Sequence, residues 1–67
     1  MKFPEFLHLV DRTHHLFNWR YGQSLMNVLY SVSPNKYDDL VAAGEDCYYD
    51  DSKVHQIISK LENEWKN

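Results

Sequence analysis

Sixteen residues from Tyr37 to Ser52 carry six carboxylates and no basic side chain. Within them lies Gly44-Glu45-Asp46-Cys47-Tyr48-Tyr49-Asp50-Asp51, which sets two tyrosines and a thiol among four acids. Those side chains could bind a cation, start a helix or form a contact surface for another molecule. A second unusual run, Trp19-Arg20-Tyr21-Gly22-Gln23, brings together Trp, Arg and Tyr. These are the residue types that dominate protein–protein hot spots.

Metal chemistry lacks the spacing it needs. No two of His8, His14, His15 and His55 stand at i, i+4, and no Cys-x-x-Cys exists. His8 and His15 share a helix face but lie roughly 10 Å apart along its axis. Asp46, Asp50 and Asp51 lack the alternating order of a calcium loop, and Gly44 precedes the acids instead of sitting among them. Nucleophilic catalysis fares no better. Cys47 follows Glu45 and Asp46, whose charges raise a thiol pKa and so weaken the nucleophile. No Gly-rich phosphate loop is present. The residues give no catalytic site, metal site or cofactor site, and the expectation is a protein that is not an enzyme.

Charge is distributed unevenly. Residues 1–36 carry a net +2, residues 37–52 a net −6 and residues 53–67 a net +1. An acidic belt between two mildly basic ends argues against nucleic-acid binding, which rests on Lys and Arg neutralising phosphates. A helix-turn-helix reading of the second and third helices would push Asp38 and Asp39 toward phosphates, with no arginine there to read a base. A belt of this kind instead implies a protein partner with a basic surface.

The elements that hold these runs follow from hydrophobic spacing. Phe3, Phe6, Leu7 and Val10 fall at i, i+3, i+4 and i+7, with Phe17 on the same face, which predicts a helix from about Pro4 to about His15. Pro4 suits the first turn, and His14 and His15 lie near the negative end of the helix dipole. Asn18 is placed to cap a second helix, with Trp19 and Arg20 in its first turn. Its stripe is Tyr21, Leu25, Val28, Leu29 and Val32, widened by Met26 and Tyr30. Gly22 lies inside this helix at a cost of about 1 kcal/mol relative to Ala; its expected use is the close approach of another element. Ser33-Pro34 ends this helix and starts a short third one carrying Tyr37, Leu40 and Val41, which Gly44 stops in a left-handed conformation. Asp50 or Asp51 then caps a fourth helix with the stripe Val54, Ile57, Ile58, Leu61 and Trp65, and with Lys60 and Lys66 toward its end. The expectation is an all-α single domain over residues 1–67, with three longer helices, one short one and no sheet.

Ten aromatic residues in 67 supply the core that so short a chain needs. A lone cysteine excludes an internal disulfide and suits the cytoplasm. No apolar run approaches the roughly 20 residues that span a bilayer, and Pro4 and Glu5 interrupt any signal peptide.

Arginine opposes the dipole at a helix start, so Arg20 is expected to find a partner, with the Asp46–Asp51 loop the obvious one. Tyr48 and Tyr49 are adjacent, so one is expected to pack and the other to face outward. Two functional readings stay open. In the first, Trp19, Arg20, Glu45, Asp46, Tyr48 and Tyr49 form a contact surface. In the second, Arg20, Gln23 and the acidic loop only lock the second helix to the fourth, and any function lies elsewhere, as on a self-association face.

The motifs Arg20-x-Gly22-Gln23, Asn27-x-Leu29-Tyr30, Pro34 and Asp46-x-x-Tyr49-Asp50-Asp51, in this order, resemble a widespread set of very small bacterial, prophage and phage proteins. There the corresponding text reads W-R-x-G-Q-x-x-x-N-x-L, a proline, and D-P-F-Y-D-D before a last helix. The likeness runs from about Phe3 to Trp65. Cys47 stands where the family pattern has proline, which leaves the loop less rigid here. The family has no established activity. The resemblance therefore implies a context, a phage-encoded protein in a host cytoplasm, rather than a mechanism. Small phage proteins frequently bind and inhibit a host protein, which extends to this chain by analogy alone.

Overall fold

The computed structural model describes residues 1–65, so the position of Lys66 lies outside the described residues. Four α-helices follow one another: α1 (Phe3–Phe17), α2 (Tyr21–Val32), α3 (Pro34–Ala42) and α4 (Val54–Glu64), the last preceded by a 3-10 turn at Asp51–Lys53. No strand occurs among the described residues. This is the all-α arrangement that the stripes predict, with α3 the short helix.

Helix α2 is the centre. Its Gly22, Ser24, Leu25, Met26, Val28 and Leu29 are all buried, because α1, α3 and the 3-10 turn all pack against it. Phe3, Phe6 and Val10 enter this core from α1, Leu40 from α3, and Ile57 and Leu61 from α4. Each such aliphatic or aromatic side chain contributes about 1.5–3 kcal/mol by leaving water. Trp65 follows α4, not within it. It lies 5.5 Å from the Phe3 ring and 4.9 Å from the Phe6 ring, closing the bottom of the core. Its indole Nε1–H donates to Met1 O at 2.9 Å, which ties the two ends of the described chain together.

The helix ends follow the local chemistry with one clear exception. Pro34 opens α3 directly after Ser33, although the Ser33 side chain makes no capping bond. Gly44 has φ +72°; its N–H reaches Val41 O at 3.1 Å, and Glu45 N–H reaches Leu40 O at 2.9 Å. That pair of bonds is the Schellman closure that a left-handed glycine permits. Asn18 is the exception. It ends α1 in the left-handed region, φ 56°, and does not cap α2. Asparagine serves both purposes, and here α1 runs two residues further than its stripe predicts, to Phe17. Arg20 then occupies the cap position of α2, so Trp19 and Arg20 precede the helix instead of forming its first turn.

Four expected apolar positions overhang the core: Phe17 is 55% exposed, Tyr30 59%, Val41 44% and Val32 36%. Phe17 and Tyr30 each meet one ring, of Trp19 and Tyr37 respectively, and are otherwise left to solvent.

Candidate functional site

The two sequence runs meet. Residues 46–51 lie across the N-terminal turn of α2, and Gly22 is where they touch. A Cβ at Gly22 would come within 2.1 Å of Cys47 O and 2.7 Å of Asp51 Oδ1. The close approach expected of this glycine is therefore made by the acidic loop. Because the loop presses so near, the Cys47 side chain is fully buried, and its thiol donates to Gly22 O at 3.6 Å. Burial first, and the charge of Asp46 next, push that thiol up to about 11. The thiolate needed for nucleophilic work is thus strongly disfavoured.

Each carboxylate of the loop has its own bond. Asp51 Oδ1 accepts from Gly22 N–H at 2.9 Å, capping α2 from 29 positions away. Asp46 Oδ1 accepts from Tyr48 N–H at 2.8 Å and turns the loop. Asp50 Oδ1 accepts from Ser52 N–H at 3.0 Å and from Ser52 Oγ–H at 2.6 Å, which starts the 3-10 turn. Those two bonds hold the Asp50 carboxyl below its ordinary pKa. Of the two candidate caps, Asp50 serves the fourth helical segment, through this turn, and Asp51 serves the second. Glu45 pairs with Lys60 at 2.9 Å; this contact raises the Lys60 pKa.

Among the described residues, Arg20 neutralises no carboxylate. Its Nη1–H donates to the Tyr49 carbonyl at 3.2 Å. The dipole it would oppose is satisfied instead by Asp51, so no acid needs to approach the guanidinium. Gln23 Nε2–H donates to Tyr48 Oη at 3.2 Å. Tyr48 is the tyrosine that packs and Tyr49 the one that faces outward, at 81% exposure. Their rings meet edge to face at 4.7 Å. Arg20, Gln23, Tyr48 and Tyr49 line a shallow polar depression at this corner. Trp19 turns elsewhere: it is half-buried and stacks on Phe17 at 4.8 Å.

The histidines do not gather at this site, although His14 meets the edge of the Tyr21 ring at 5.6 Å. His14 Nδ1–H donates to Trp19 O, so His14 serves a carbonyl just past the helix end, whereas His15 lies 3.5 Å from Asp11. Among the described residues, no three His, Cys, Asp or Glu side chains gather as metal ligands would. No helix there is long and apolar enough to cross a membrane.

A feature that the motifs did not disclose lies on the other side of Trp19. Leu9, Thr13, Phe17, Trp19, Asn27 and Val28 line an apolar groove of about 290 Å³ between α1 and α2. Leu9 and Phe17, eight residues apart on one face of α1, were the sequence signal for this apolar flank.

The chain matches no protein-family model, no curated protein and no solved structure.

Proposed function

We propose that this chain is a small non-enzymatic module that binds another protein through the outer edge of the 45–51 loop. The carrying observation is Tyr49: a large aromatic, 81% exposed, held on a loop whose neighbouring side chains are all fixed by hydrogen bonds. An anchor presented from a pre-ordered loop loses little conformational freedom on binding. Arg20 adjoins this edge in space and holds the Tyr49 carbonyl, whereas Trp19, expected to flank it, turns toward Phe17.

The belt's charge supports a partner with a basic surface. Asp46, Asp50 and Asp51 each bond through Oδ1 to neutral donors, which fixes the carboxylates without cancelling their charge. Glu45 alone of the loop's acids is paired with a cation among the described residues. The same field repels nucleic-acid phosphates. The likeness of the WRYGQ and DCYYDD runs to small phage proteins adds the context: a phage-encoded accessory protein in the host cytoplasm that inhibits or modulates a host protein.

The test is capture of bacterial proteins on a tagged copy, followed by affinity measurement with Tyr49→Ala and Asp50→Asn. We expect Tyr49→Ala to weaken a specific partner by about tenfold or more, as a hot-spot aromatic does. Undiminished affinity in both variants would remove this reading.

A second reading has its own observation. Every carboxylate between Glu45 and Asp51 accepts a hydrogen bond from within the chain. Under it, Asn18, Gly22, Gln23, Pro34, Gly44, Asp50 and Asp51 serve the fold only, and self-association or another face carries the function. Stability then responds to substitutions in the loop and partner affinity does not.

A further inference from the structure

The α1–α2 groove and the Tyr49 loop have complementary chemistry: an apolar trough near Arg12, and an exposed aromatic ring among acids. The groove is mostly apolar, and Thr13, Ser31 and Asn27 are the polar residues of its wall; the Asn27 carboxamide has no hydrogen-bond partner among the described residues. An amide there can both donate and accept, which matches a phenolic hydroxyl carried on an aromatic ring. Leu9 joins the groove to a neighbouring depression that Arg12 lines. Arg12 makes no ion pair among the described residues. The loop offers the converse: an exposed tyrosine ring flanked by Asp46 and Asp50, neither of which is in an ion pair among the described residues, although Lys53 acts on the Asp50 charge from a distance.

From this we infer that the groove receives Tyr49 of a second copy of the chain. The ring packs on Leu9, Phe17 and Val28, the hydroxyl meets Asn27, and Arg12 faces the loop's carboxylates. The inference rests on the reading of the Tyr49 loop as a contact surface, and it names one partner for it. Size favours it as well. A domain of 67 residues with a single free cysteine has no disulfide to reinforce it, and small folds of this kind are commonly stabilised by association. The two complementary patches are different surfaces, so the contact is heterologous. It builds rings or chains, not a closed two-fold pair.

Sedimentation equilibrium over a concentration series tests this. The wild type should associate beyond the dimer, less so at high salt because the Arg12 contact is exposed to screening. Tyr49→Ala removes the ring, and Ser31→Glu places a negative charge at the groove's edge on an exposed position. Each should weaken association by about tenfold or more. Mixed together, they should form one-to-one heterodimers and stop there, since only one working contact remains in the pair. Neither position is buried, and circular dichroism checks that both variants keep their helices. A wild type that stays monomeric at every concentration overturns the inference, and so does association that both variants leave unchanged. If the monomer nonetheless captures another protein in a Tyr49-dependent way, self-association falls and the reading of the loop as a contact surface stands.

Discussion

Gly22 N–H donates to Asp51 Oδ1 at 2.9 Å, and the carbonyl of Cys47 occupies the space where a Gly22 side chain would begin. One glycine therefore joins the start of α2 to the loop before α4, by a bond and by the absence of a methyl group. Gly22→Ala should be destabilising despite the roughly 1 kcal/mol that alanine gains over glycine in a helix. The new Cβ would lie 2.1 Å from backbone that cannot rotate away, and overpacking of this kind costs about 1–3 kcal/mol or more. Urea denaturation should show a net loss of about 2 kcal/mol. A gain in stability would mean that the loop does not press on α2.

Asp51 caps α2 from a distance, so its removal should act on a helix to which it does not belong. Asp51→Ala leaves the Gly22 N–H without its acceptor at the positive end of α2, and should lower stability by about 1–2 kcal/mol. Asp51→Asn keeps an acceptor oxygen and loses only the charge, so it should cost about half as much. Amide hydrogen exchange at Gly22 should quicken in Asp51→Ala. Exchange quickening at Ser52 alone would place the cap on the wrong helix.

This relationship marks where the sequence stops being legible. The helices themselves were readable because Leu25, Val28 and Leu29, or Ile57 and Leu61, repeat at the helical period, and because Pro34 and Gly44 punctuate them. Asn18 was ambiguous for a physical reason: its short amide side chain suits a cap at either end, and the choice depended on how far α1 continued. The partner of Arg20 could not be read locally, since whether it needs a carboxylate depends on Asp51, which lies beyond a whole helix and a loop. The overhang of Phe17 and Tyr30 was hidden because periodicity reports which face is apolar, not how far the neighbouring helix extends.

Cys47 makes stability depend on alkaline pH. Its thiol has an ordinary pKa of 9.0, and burial raises it to about 11 in the fold. The folded chain therefore keeps a proton that the unfolded chain releases. Stability from this group is whole below pH 9, declines as pH rises through 9 to 11, and then levels. The loss is on the order of 2 kcal/mol. Comparing denaturation of wild type and Cys47→Ala across this range isolates the group, because other residues titrate equally in both. The thiol should also resist aromatic disulfide reagents in the folded state and react at the rate of unfolding. Rapid labelling of the folded protein would contradict its burial.

The two tyrosines should separate fold from contact surface. Tyr48 packs against the core and its hydroxyl accepts from Gln23 at 3.2 Å, so Tyr48→Phe should lower stability by about 0.5–1 kcal/mol. The side chain of Tyr49 touches little besides the edge of the Tyr48 ring, so Tyr49→Ala should change stability by less than about 0.5 kcal/mol. Arg20 holds the Tyr49 carbonyl, which alanine retains, so the loop should keep its course in that variant. Urea midpoints of the two variants, measured under one set of conditions, check the contrast. If Tyr49→Ala proves the more destabilising, its ring is part of the fold, and a loss of binding in that variant could not be assigned to a contact surface.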